Sequence, residues 1–533
     1  MQHALRAHPV VTIVSMAVGL FSLLPFLYLF IAGFSVRRVH ALFAFPATLA
    51  ELTRTVGLTA AISVCTVLLG VGAALLVVRS DLPFRRVLTV LFALPLAVPG
   101  FVSAYAVYSA GLLVAPRSDL LTSFGGATIV ISLTLYPYVF LACVVGARTI
   151  DPAQEEVARS LGARPAAVLW RIVLPRLRPA IAGGVLIVAL HVLSEYGAMV
   201  QLKQRTLTTE IMSQMLDYGD YETARSLSML LALLALVALV AGRGVSGRAS
   251  EASIGAQATR PPGTVRLRGA RLPVAAVALA VPVAAVGPTV FMTVHGLTTP
   301  HRATALGWQQ VAVAGANTIG YAVAAGLLAS LVGFPVSWWI SRRPSTAATM
   351  TERSVWLAHA IPAAILALAL VFLATRLAPG LYKTPAVLIA GYVILFLPLA
   401  VANQRVGLES AFVRYDEAAA ALGSPAWRRL GRVSLPLALP GVATGALLVG
   451  LDASKELTTT LMLLPFNTQT LATGLWGTTN GQSLDFTAAA PYALVLIALG
   501  SIPVYLITRR TLRYLPATSV RPRQPAKSTA AAG

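Results

Sequence analysis

Long apolar stretches alternate with short polar segments along all 533 residues, and their lengths decide the architecture. A helix rising about 1.5 Å per residue needs about 20 apolar residues to cross a hydrocarbon layer of about 30 Å. Twelve such runs are expected, at 9–33, 54–78, 87–114, 123–147, 180–200, 226–242, 272–293, 311–341, 354–375, 384–403, 437–454 and 487–508. The first is too long and too uncharged for a cleaved signal peptide and is read as a span that stays. Backbone polar groups inside a bilayer must be paired within the segment, so the runs are helices. The fold class is all-α integral membrane, with about 12 transmembrane helices.

The polar segments between the runs repeat. Asp151 to Pro179 matches Asp416 to Pro440, with Glu156, Ala158, Gly162, Leu174, Pro175 and Pro179 recurring 261 positions on as Glu417, Ala419, Gly423, Leu435, Pro436 and Pro440. Thr55-Val56-Gly57 recurs as Thr318-Ile319-Gly320 and Pro99 as Pro362, each 263 on, and Asp220-Tyr221 resembles Asp485-Phe486, 265 on. So small a drift means two halves, 1–242 and 272–515, built as parallel six-helix repeats about an axis along the membrane normal. Between them, 243–271 is rich in Gly, Ser and Arg, contains Pro261-Pro262, and reads as a flexible linker. The tail, 516–533, reads as disordered.

The net charge of +22 does not mark a nucleic-acid protein, because the basic residues sort by side of the membrane. Counting loops alternately from an inner N-terminus puts 30 of the 41 Lys and Arg on one side and 11 on the other. That asymmetry places both termini in the cytoplasm of a multi-pass chain in the cell (inner) membrane, in contact with lipid. Cys65 and Cys143 fall inside spans without ligand spacing and read as packing residues.

In the first polar repeat Asp151-Pro152 starts a helix, as an N-cap followed by a first-turn proline. Glu155 and Glu156 suit its positive end, Gly162 breaks it, and a second short helix is expected from about Pro165 to Trp170. Ile172, Leu174 and Pro175 then close the loop, and Pro175, Pro179, Pro436 and Pro440 offer pivots at the inner ends of the next spans. Small Ala158, Ala418 and Ala419 would let another surface approach, with Val157 standing where the second copy has Ala418. The pattern E-x-A-x3-G-x9-[IV]-x-L-P resembles the cytoplasmic coupling loop of binding-protein-dependent ABC importer permeases of the type I fold, and two copies resemble the fused form. The resemblance implies docking on two copies of a cytoplasmic ATPase and an extracytoplasmic solute-binding protein as a further partner. None of the four lysines follows a glycine, so no phosphate loop exists here; ATP–Mg belongs to the partner ATPase and the chain is not itself an enzyme.

Four ionisable groups fall within the spans after these loops: His191 and Glu195, and 261 positions on Asp452 and Glu456. At i, i+4 each pair is expected on one helix face, with the glutamates a turn nearer the outside. Charges at such depth are costly and turn toward a cavity or a partner. Two readings stand: the four line a translocation pathway, or Asp452 pairs with Lys455 at i, i+3 while the glutamates cap helix ends. No metal-ligand set is assigned. The segment Lys455-Glu456-Leu457, Thr460-Leu461, Leu464-Pro465-Phe466-Asn467 resembles the ferric-iron-type fused permeases. Fe³⁺, a hard cation, suits oxygen ligands. Thiamine and phosphonate importers are the alternatives within that form. A secondary transporter would not need two matched inner loops, and the seven histidines are too scattered for a membrane-embedded enzyme.

Orientation can be checked with an impermeant thiol reagent on intact cells. With Cys65 and Cys143 replaced, Gly219→Cys should label and Ser246→Cys should not. The reverse pattern would overturn the charge-based topology.

Overall fold

The computed structural model of the chain describes residues 9–33, 46–148, 150–246, 265, 267–299, 307–342, 345–409, 412–480 and 486–513. The expected tail, 516–533, and most of the linker lie outside these residues. The first half holds α1 (Pro9–Gly33), α2 (Pro46–Arg79), α3 (Arg85–Ala93), α4 (Gly100–Val114), α5 (Phe124–Arg148), α6 (Pro152–Ser160), α7 (Pro165–Val168), α8 (Leu174–Ser194), α9 (Gly197–Gln201), α10 (Leu207–Leu216) and α11 (Tyr221–Ser246). The second holds α12 (Arg271–Thr298), α13 (Trp308–Arg342), α14 (Thr346–Ala360), α15 (Ala363–Leu377), α16 (Pro385–Glu409), α17 (Phe412–Ala421), α18 (Ala426–Arg429), α19 (Leu435–Lys455), α20 (Thr458–Leu463), α21 (Leu471–Thr479) and α22 (Phe486–Arg513). Each helix of the first half has its counterpart eleven places later in this numbering. The sequence repeat is thus a repeat of structure.

Among the described residues nine helices are long and apolar enough to cross a membrane. Two further apolar segments are bent pairs, α3 with α4 at 94° and α14 with α15 at 103°, and α22 carries a shorter apolar stretch, Thr487–Ile502. The expected unbroken runs at 87–114 and 354–375 are corrected accordingly; the second straddles a break and joins parts of two helices. Proline is the cause. Val98 and Ile361, each before a proline, are extended at ψ 124° and 136°, the conformation that the proline ring imposes on the residue it follows. Pro99 and Pro362 then start new helices, where their missing N–H costs nothing.

In each half three helices form the inner bundle: α2, α5 and α8, and likewise α13, α16 and α19. Small residues allow the approach, as expected where lipid removes the hydrophobic drive between helices. A β-carbon at Gly70 would stand 2.8 Å from the Phe140 backbone nitrogen, and one at Gly184 would stand 2.8 Å from Val139 Cα. The first helix of each half crosses over: α1 packs on α13, α14 and α15, and α12 on α3, α4 and α5. On the far side from the repeated loops, Thr55 Oγ1 accepts the Leu207 N–H at 3.0 Å and Thr318 Oγ1 accepts that of Leu471 at 2.8 Å. Thr206 with Thr209, and Thr470 with Thr473, form reciprocal capping boxes at the starts of α10 and α21. The recurring threonines of the sequence therefore satisfy helix-end donors where water is scarce.

Candidate functional site

The two inner loops are built alike. In the first, Asp151 caps α6 by accepting the Ala153 N–H at 3.0 Å. Gly162 at φ 83° and Gly423 at φ 78° end α6 and α17 in the left-handed region. The bonds Ala163 N–H to Ala158 O at 2.9 Å and Ser424 N–H to Ala419 O at 3.0 Å close each end in the same motif. Open space surrounds both glycines, so backbone conformation rather than crowding selects them. Just before each stands a leucine turned outward, Leu161 at 82% exposure and Leu422 at 88%. Val157 and Trp170 add to the exposed apolar surface of the first loop, as a docking face would.

Glu156 is exposed, whereas Ala158 packs inward against the core rather than toward an incoming surface. The side chains of Asp416, Glu417 and Trp427 lie outside the described ones. The buried anchor of the first loop is Glu155, 2% exposed, which pairs with Arg79 at the inner end of α2 and with Arg159 at 3.1 Å. Arg79 also donates to the Ala147 carbonyl at 3.2 Å, so one guanidinium ties α6 to α2 and α5. Sequence reasoning missed this pair, which lies 76 residues apart. Its trace was present: Arg342 and Asp416 occupy the repeat-related positions.

Beyond the glycines the expectation of a separate short helix needs correction. Helix α7 runs only to Val168, a π turn spans Leu169–Val173, and α8 follows without a gap; α18, Leu430–Ser434 and α19 do the same. The irregular point is this wide turn. Pro175 and Pro436 follow the wide turns directly, in the first turns of α8 and α19, while Pro179 and Pro440 lie within those helices. Leu174 and Pro175 are half-buried, and Leu435 and Pro436 more exposed.

At the far ends of α8 and α19 the shared helix face expected for His191 with Glu195 and Asp452 with Glu456 is not formed. Both helices stop one residue short, and Glu195 and Glu456 are extended at ψ 113° and 120°. Glu195 Oε1 accepts the Ala198 N–H at 2.9 Å and Glu456 Oε1 that of Thr459 at 2.9 Å. Each carboxylate thus caps the short helix that follows, α9 or α20, at its positive end. Asp452 Oδ1 lies 3.0 Å from Lys455 Nζ.

These groups meet where the halves meet. The Ala363 N–H, at the start of α15, donates to Ser194 Oγ of the other half at 3.0 Å. Tyr196 packs on Trp476 at 5.3 Å between ring centroids, and Gln201 donates to Thr479 at 3.1 Å. His191 lies 5.5 Å from the Tyr138 ring and within electrostatic reach of Asp452, Lys455 and His359. Glu195 and Glu456 likewise feel one another's charge. His191 is exposed and Asp452, Glu195 and Glu456 are half-buried, so the cluster borders accessible space. Among the described residues no group of three His, Cys, Asp or Glu is close enough to hold a metal ion.

Residues 66–246 and 333–515 each match the family described as binding-protein-dependent transport system inner membrane component. The chain belongs to that family. It is the fused, two-half permease of an ABC transport system, a multi-pass membrane protein whose family works with ATPase and binding-protein partners. The permease is 29% identical over 503 residues to the Fe(3+)-transport system permease protein FbpB 2 of Haemophilus influenzae, across 93% of this chain and 97% of that one. It is 26% identical over 515 residues to the probable ABC transporter permease protein y4fN of Sinorhizobium fredii, across 86% and 87%. The molybdenum transport system permease protein ModB of Mycobacterium tuberculosis is 35% identical over 208 residues, only 36% of this chain but 78% of that protein.

A left-handed residue costs a branched side chain about 1–2 kcal/mol, and asparagine tolerates it better. The pair Gly162→Val with Gly423→Val should therefore abolish most ATP-driven uptake in reconstituted vesicles, while the pair of asparagine substitutions keeps most of it. Normal uptake by the valine variant would remove the docking role of these loops.

Proposed function

We propose that this permease imports ferric iron, released to it by an extracytoplasmic solute-binding protein and driven by two copies of a separate ATPase. One copy would seat on each inner loop, the first at Glu156, Gly162, Leu174 and Pro175 with Ala158 packed behind them, the second at Glu417, Ala419, Gly423, Leu435 and Pro436. ATP–Mg is bound and hydrolysed in the ATPase, and the permease performs no catalysis. Both termini are cytoplasmic, in keeping with the 30 to 11 division of basic residues.

The observation that carries the substrate is end-to-end similarity to a permease named for Fe(3+), whereas the molybdenum relative aligns with 36% of the chain. The axial chemistry supports it. Glu195, Glu456 and Asp452 bring three carboxyl groups there, Asp452 paired with Lys455, and their hard oxygens suit Fe³⁺. His191, Glu195, Asp452 and Glu456 form the proposed translocation pathway. Lacking a close set of three ligands among the described residues, it would hand a cation along by single contacts, loose enough for release.

Helices α8 and α19 run directly from the docking loops to this cluster. ATPase closure would then move the carboxylates as it moves the loops.

Glutamine keeps an oxygen that accepts the capping N–H and removes only the charge. Glu195→Gln with Glu456→Gln should leave assembly and basal ATP hydrolysis intact and slow Fe³⁺ uptake about tenfold, equivalent to about 1.4 kcal/mol. Unchanged uptake would exclude a role for the charge. Import of molybdate or thiamine, with no response to Fe³⁺, would overturn the substrate.

A further inference from the structure

The linker between the halves was expected to be flexible throughout, yet its last residues are tied down. Val265 N–H donates to the Arg79 carbonyl at 2.8 Å, and Asp81 N–H donates to the Val265 carbonyl at 3.2 Å. Leu267 N–H donates to Asp81 Oδ1 at 2.7 Å, and Arg271 pairs with the other oxygen. The Leu267 N–H, with Arg271 adding its hydrogen bond and charge, holds the Asp81 carboxyl below the usual carboxylate range against the opposing effect of burial. The strap is therefore anionic at Asp81 through the neutral range.

Its attachment point is the corner that follows α2, and Arg79, the residue whose carbonyl it takes, grips Glu155 in α6. At its other end Arg271 starts α12, which packs on α3, α4 and α5 of the first half. The second half has no such fixture in its sequence. The constant offset of 263 that relates Thr55 to Thr318 and Pro99 to Pro362 puts Arg343 opposite Ser80 and Pro344 opposite Asp81. Proline offers neither the carboxylate nor the N–H that the strap uses.

We propose that Val265 and residues 267–271 are a positioning strap for the first inner-loop helix, holding through Asp81 the corner from which Arg79 grips Glu155. The fused permease thereby presents two docking surfaces of unequal mobility, the first braced by the linker and the second not. Asp81, Leu267 and Arg271 are positioning residues that act through Arg79. The inference about mobility rests on the loops as built; its meaning for transport rests on the docking reading above.

The test uses the full chain with Cys65 and Cys143 replaced and a spin label at Ser160→Cys or, 261 positions on, Ala421→Cys. Leu267 has φ −77°, which proline accepts, so Leu267→Pro deletes the backbone N–H that it donates to Asp81 and leaves every side-chain charge in place. In Leu267→Pro and in Asp81→Asn, the label at 160 should gain mobility several-fold while the label at 421 stays unchanged. Asp81→Arg should do the same, and adding Arg271→Asp should restore part of the order at 160. Unchanged labels at both positions would overturn the strap, and equal loosening at both would reduce it to a general loss of stability, which overturns it too. Should Asp81→Asn fail to assemble, Leu267→Pro carries the same comparison. The docking reading fails separately, if neither Ser160→Cys nor Ala421→Cys in the otherwise unsubstituted chain cross-links to the ATPase.

Discussion

A helix that starts inside a bilayer exposes N–H groups that lipid cannot pair, and each must find an acceptor. The centre of this permease is organised by that requirement. Four helix starts converge there, α4 and α15 after their prolines and α9 and α20 after Glu195 and Glu456. The proline breaks discard one donor outright, Ser194 accepts the Ala363 N–H across the interface, and the two glutamates accept at the short helices. An acid at these positions does two jobs with one group. Its oxygen closes a helix end, and its charge, drawn to the positive end of that helix, stays beside accessible space between the halves.

The same requirement links the centre to the inner surface. Because α8 and α19 stop at the glutamates and begin at the wide turns after the repeated loops, each is a rod with a specialised end at either side. Gly162 and Gly423 fix how the loop helix leaves the rod, and the buried pair of Arg79 with Glu155 fixes where the first loop helix sits. A buried ion pair of this kind is costly to break from one side, by about 3–5 kcal/mol, which suits a part that must transmit force without slipping. Reciprocal packing of α1 and α12 holds the two halves as one body around the rods.

Much of this was legible in the sequence because duplication writes it twice. The matched glutamates, glycines and leucine-proline pairs located both loops, and matched threonines and prolines gave the register of the halves. Hydropathy did not reveal that 87–114 and 354–375 contain sharp bends, since apolar content carries no direction; Pro99 and Pro362 were the available signal. The i, i+4 argument for Glu195 and Glu456 failed because it assumed a continuing helix, whereas the carboxylates themselves terminate one and start the next. Arg79 with Glu155, and Asp81 with the linker, join residues 76 and 186 positions apart, which no local pattern reports.

The central claim is that one polypeptide carries two complete docking surfaces. The most direct measurement is the native mass of the complex purified in detergent or nanodiscs with its ATPase. Two ATPase subunits on each 55.8 kDa permease chain is the predicted result. A stable, transport-competent complex with one ATPase per chain, or with two permease chains sharing an ATPase pair, would contradict it.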